Sequence, residues 1–137
     1  MTPAINYLAI PVAAIASFAF GAVWYMQLSK PWMASLGKTE AELKAAHQGS
    51  PVPFIVGFLA QLVMAWVLAG LIGHMGPVSV RNGVISAGFC WLGFVITTLA
   101  TNHGFQGAKR ALTLIDGSHW LGVLLIQGII LGQWGLA

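Results

Sequence analysis

The sequence predicts an all-α membrane protein: a bundle of four transmembrane helices with a short amphipathic or surface helix in the first loop. Three observations carry this. Of 137 residues, 58% are hydrophobic and only 7% are charged, where a soluble domain carries about 25% charged residues. A soluble fold this small leaves too much of its surface exposed to hide that much apolar area. Lipid removes the difficulty, because a helix there can be apolar all round provided its backbone hydrogen bonds are internal. Second, four apolar stretches free of Lys and Arg are each long enough for the roughly 20 residues that span about 30 Å of hydrocarbon. Third, polar and turn-forming residues separate these stretches. The length suits a single domain over residues 1–137.

The first span covers about residues 4–28. It lacks a basic n-region and is longer than a signal-peptide core, so it is expected to be retained as a helix. Pro11 cannot donate to the Tyr7 carbonyl and is expected to kink it. The connection over residues 29–51 is the longest. Thr39 followed by Glu42 fits a capping box, predicting a surface helix through about Ala46. Pro51 and Pro53 then lead into the second span, about residues 54–75. Gly76-Pro77 ends that span in a tight turn. The third span covers about residues 82–101. Residues 102–110, with Gly104 and Gly107, join it to the fourth, about residues 111–135.

Charge sets the orientation. Lys30, Lys38, Lys44, Lys109 and Arg110 belong to the first and third connections, which share one face; Arg81 alone marks the other. The positive-inside rule then makes this a multi-pass protein of the inner (plasma) membrane, with both termini on the non-cytoplasmic side. A net charge of +3, scattered over loops, gives no footprint for nucleic acid. Cys90 is the only cysteine; it excludes an intrachain disulfide and, in an apolar segment, reads as an inert thiol.

Helices in lipid associate through small residues that let backbones approach. Ala9, Ala13, Ser17 and Gly21 form one such stripe, Ala65, Ala69 and Gly73 a second, and Gly128 with Gly132 a GxxxG pair. Each reads as packing within the bundle or, alternatively, as the interface of a homo-oligomer; membrane lipids cover what remains. A faint internal echo accompanies them. Gly21 with Trp24 and Gly88 with Trp91 both spell GxxW, and Gln61 and Gln127 sit on the two helices that run the other way.

An ionisable group in a span is a functional hypothesis by default, because burying a charge is costly. Asp116 is the only acid in a span, and His119, three residues on, shares its face. Together they could move protons, bind a cation or anchor a polar ligand. Asp116 could equally cap its helix or meet Lys109, Arg110 or Lys30. Asn102, His103, Trp24, Tyr25, Lys30 and Trp32 are expected at the same level, either as a pocket with aromatic walls or as the usual interfacial belt of aromatic and snorkelling residues. Trp66 and Trp91 fall near mid-span, where a buried indole N–H needs an acceptor. Gln61, Gln127, Ser86 or a freed carbonyl could supply one, in a packed core or a small cavity. His103 and His119 lack a third ligand, so no metal is expected, and no motif calls for a cofactor. GxSxG, HExxH and P-loop patterns are absent.

The run Phe20-Gly21-Ala-Val-Trp24-Tyr25-Met-Gln-Leu28-Ser-Lys-Pro-Trp32-Met33 resembles the first signature of the bacterial domain-of-unknown-function family 1761. The stretch from Gly88-Phe-Cys-Trp91 through Phe105 and Leu114-Ile115-Asp116-Gly117 to Gly128-Ile-Ile-Leu-Gly132-Gln-Trp134 resembles the second. The resemblance covers nearly the whole chain. It implies a small four-helix membrane protein with no assigned activity, and highlights Trp24, Tyr25, Trp32, Phe105 and the position of Asp116. It further implies an amide at position 116 and an acid at position 106, where this chain has Asp116 and Gln106. The function expected is binding or passage of a small molecule or ion through a cytoplasm-facing polar and aromatic vestibule. The alternatives are a non-catalytic structural or accessory subunit and, third, an intramembrane enzyme.

Overall fold

The computed structural model describes residues 6–134, and every regular element among them is helical. Four helices are long and apolar enough to cross a membrane: α1 (Ala9–Gln27), α4 (Val52–Met75), the continuous run of α5 (Val80–Cys90), a π-helical turn (Trp91–Val95) and α6 (Ile96–Phe105), and α7 (Arg110–Trp134). The outer limits expected for the first and fourth spans, residues 4 and 135, lie outside the described residues. Phe54, Val56, Phe89, Leu92 and Phe94 face outward and are largely exposed, as the lipid-facing side of a membrane bundle must be.

Two short helices, not one, fill the first connection. The expected surface helix is α3 (Glu40–His47), with Thr39 as its cap: the Thr39 hydroxyl accepts from Glu42 N at 3.2 Å. Ahead of it stands α2 (Ser29–Leu36), ended by Gly37 in the left-handed region at φ 69°. Pro31 fits the first turn of α2, where N–H groups have no intrahelical acceptor. The apolar Trp32, Met33 and Leu36 are half-buried. Lys109 Nζ donates to the Ala34 carbonyl at 3.2 Å, tying α2 to the start of α7.

Contrary to expectation, Pro11 does not interrupt the hydrogen-bond ladder of the first span. The helix begins at Ala9, so Pro11 lies in the first turn, where its missing N–H breaks no intrahelical bond. The third span holds a feature that its composition did not announce. At the π turn the Ile96 N–H reaches back to the Trp91 carbonyl, one residue further than in an α-helix. Beyond it, Thr97 and Thr101 return their hydroxyls to the Gly93 and Thr97 carbonyls at 2.9 and 2.8 Å, so neither exposed hydroxyl is left without a partner.

Helix α7 is the centre of the bundle and packs against α1, α2, α4, α5 and α6. Glycines set its spacing from its neighbours. A Cβ on Gly83 would fall on the Gly128 carbonyl, and one on Gly132 on the Ser79 carbonyl, so α5 and α7 meet backbone to backbone. Gly128 and Gly132 are therefore used up inside the chain. Ala9, Ala13, Ser17 and Gly21 are all buried, as is Ala65 of the second stripe; Ala69 and Gly73 are half-buried.

Candidate functional site

Two polar stations lie along α7. The deeper one joins three helices near the middle of the bundle. The Gln127 amide nitrogen donates to Ser17 Oγ and to the Gln61 carbonyl, both at 3.1 Å, and Ser17 Oγ is 2.8 Å from Gln61 Oε1. All three side chains are buried. The Gln61 carbonyl fixes the amide's orientation, since only the nitrogen can donate to it. That leaves Gln127 Oε1 buried without a partner. Sequence spacing placed Ser17 among the small packing residues, whereas it is also the hydroxyl that links the two glutamines.

The second station is formed by Asp116 and its neighbours. Asp116 lies six residues into α7, about 9 Å along its axis from Arg110. The Tyr25 hydroxyl donates to Asp116 Oδ1 at 2.7 Å. On either side of it two indoles bond to the helix backbone. Trp24 Nε1 donates to the Ile115 carbonyl at 3.1 Å, and Trp91 Nε1 to the Gly117 carbonyl at 2.7 Å. A helical carbonyl has a second lone pair to offer, so these bonds need not break the helix. The two GxxW runs thus send both indoles to one helix, two residues apart, and the environments of their glycines differ: Gly21 meets His119, while Gly88 has open space.

His119 is buried, 5% exposed. Its ring stacks on Phe20 at 6.2 Å, tilts against Tyr25 at 4.8 Å, and meets Trp120 edge-on at 4.6 Å. Gly21 makes the room, since a Cβ there would come within 2.7 Å of His119 Nε2. His119 Nδ1 is buried with no hydrogen-bond partner. Trp32 closes the side toward α2, its ring 5.5 Å from that of Tyr25 at 67°.

Asp116, His119, Trp24, Tyr25 and Trp32 therefore come together. Other expected members do not. Lys30 and Asn102 are exposed and make no hydrogen bond to the cluster. His103 instead shares a 2.8 Å hydrogen bond with Thr113 Oγ1, one turn nearer the loop. Trp66 is 56% exposed and points outward, because the inner face of α4 is taken by Gln61, Ala65 and Leu68. Trp91 is half-buried and finds its acceptor in a backbone carbonyl, not in Gln61 or Gln127. Phe20 was missed as a wall of the site, although it opens the family-like run and lies one turn before Trp24. Among the described residues Asp116 has no ion pair, the one salt bridge being Lys44 with Glu40 on α3. No three His, Cys, Asp or Glu side chains among them come within reach of one metal ion.

A family model described as "Protein of unknown function (DUF1761)" matches residues 8–132. No curated protein and no solved structure matches the chain.

Proposed function

The chain belongs to this family of unknown function, and on that premise we propose that it binds or passes a small molecule or ion at the Asp116–Tyr25–His119 station. The observation that carries the reading is Asp116 itself: a half-buried carboxylate in a span, without a basic partner among the described residues, held by one hydroxyl. An acid in a span with no such partner is costly to keep ionised, and its place near the start of α7 puts it within reach of a polar ligand entering from water. The aromatic rings around it supply the apolar walls that small-molecule sites generally have. In this reading the protein lies in the inner membrane with both termini outside the cytoplasm, the five bases of the first and third connections face the cytoplasm, and the station opens on that side.

A second reading, a structural or accessory subunit, draws on the indole bonds. Trp24 and Trp91 grip α7 on both sides of Asp116, which is what a purely packing role for this level would need. Solvent access separates the two. An Asp116→Cys, Cys90→Ala protein in inverted membrane vesicles is treated with a membrane-impermeant maleimide. Labelling from the cytoplasmic side supports an open vestibule. A thiol that stays unmodified there, while a cysteine in α3 reacts, supports the closed bundle. Reporter fusions that place the C-terminus in the cytoplasm would overturn the orientation.

A further inference from the structure

Resting on the small-molecule reading of this station, we infer that its ligand is a protonated amine, bound by the unused oxygen of Asp116 beside the rings of Tyr25 and Trp32. Three observations converge. Asp116 is the only acid in any span, and its carboxyl group meets no cation within ion-pair distance among the described residues. Of the two bases nearest in sequence, Arg110 is exposed and pairs with no acid among the described residues, and Lys109 turns its ammonium group to the Ala34 carbonyl. Second, the Tyr25 hydroxyl occupies Oδ1, and the other carboxylate oxygen receives no hydrogen bond from the described residues. Third, Tyr25 and Trp32 meet at 67° with their centroids 5.5 Å apart, so they make two walls of a corner beside the carboxylate. Aromatic faces attract cations, the more so when water is excluded.

The unspent Asp116 oxygen, on the carboxylate that Tyr25 holds, calls for a donor; His119 Nδ1, sealed within the packing, is out of a ligand's reach. A protonated amine offers N–H donors and a positive charge together. An anion would meet the Asp116 charge unshielded, and a neutral molecule would leave that charge uncompensated. The basic residues of the neighbouring loops do not exclude a cation. Lys30 and Arg110 are exposed, and at physiological salt water screens such charges beyond about 8 Å.

The test uses the full chain in detergent at neutral pH, with ligand-observed saturation-transfer NMR and three probes of matched shape: 2-phenylethylammonium, neutral 2-phenylethanol and anionic 3-phenylpropionate. The inference expects the amine to bind, the alcohol to bind about tenfold more weakly or less, and the acid to show no saturation transfer, since a hydrogen-bonded charge contributes on that order. Asp116→Asn keeps the shape and an acceptor for Tyr25; it should weaken the amine by about tenfold or more and leave the alcohol nearly unchanged. Tyr25→Phe keeps the charge and should retain the amine's preference over the alcohol. If the Asn variant does not fold, that preference in the unmodified chain decides alone. Equal binding of amine and alcohol overturns the amine assignment and leaves a small-molecule site standing. Failure of all three probes to bind overturns both.

Discussion

Gly21 on α1 and His119 on α7 occupy one volume between them: the imidazole stands where the glycine's side chain would be, with Nε2 within 2.7 Å of an added Cβ. The consequence is that α1 approaches α7 closely enough for Trp24 and Tyr25, one turn further on, to bond Ile115 and Asp116. Gly21→Ala should therefore cost about 1–3 kcal/mol, as overpacking does. Thermal unfolding in detergent measures it. Combining it with His119→Ala should recover part of the loss, because the two residues contend for the same space. Additive losses would contradict the contact.

The glycines of the bundle differ sharply in what they permit. Gly128 touches the Gly83 backbone, whereas Gly88 on the facing helix has nothing within 4 Å of an added Cβ. Gly128→Leu should prevent α5 from closing on α7 and abolish recovery of folded, monodisperse protein. Gly88→Ala should be neutral or stabilising by up to about 1 kcal/mol through helix propensity. Size-exclusion profiles after detergent extraction report both.

Gln127 is the donor that joins α1 and α4 to α7. Hydrogen bonds between membrane helices contribute about 0.6 kcal/mol on average and at most about 1.7. Gln127→Leu removes two donors and an unpaired acceptor at once, so its cost should stay near or below about 2 kcal/mol. Unfolding by a denaturing detergent measures it. A loss well above that would mean the station binds something besides its own side chains.

Two tryptophans near mid-span should behave oppositely. Trp91→Phe loses the bond to the Gly117 carbonyl and should destabilise by about 1 kcal/mol. Trp66→Leu, on the outward face, should fall within about 0.5 kcal/mol of the unmodified protein. The same thermal assay compares them.

Much of this was legible in the sequence. Apolar length and the absence of charge in the spans are properties of composition, so the four long helices follow without any knowledge of packing. The Thr39–Glu42 cap is a local pattern with one physical meaning, and Gly128 with Gly132 announces a close helix approach without saying whether the neighbour is in the same chain. What composition cannot give is rotation about a helix axis. In spans that are apolar all round, no polar face says which side points inward; Trp66 faces out and Gln61 in for reasons that lie in the neighbouring helices. The π turn at Trp91–Val95 has the same origin, since nothing in Trp91-Leu-Gly-Phe-Val95 distinguishes it from ordinary helix. The pairing of Asp116 with Tyr25 was half visible: both residues stood out at one membrane level, while the hydroxyl that selects Oδ1 belongs to the geometry. Pro11 misled because a proline's effect depends on where its helix begins, and α1 begins at Ala9.

The central claim is that the Asp116 station holds a small molecule. Mass spectrometry of molecules extracted from protein purified out of native membranes tests it directly, with the unmodified chain, Asp116→Asn and Trp66→Leu compared. The account predicts one species retained by the unmodified protein and by Trp66→Leu and lost from Asp116→Asn. The same small molecules in all three preparations, or none beyond bulk lipid, would contradict it.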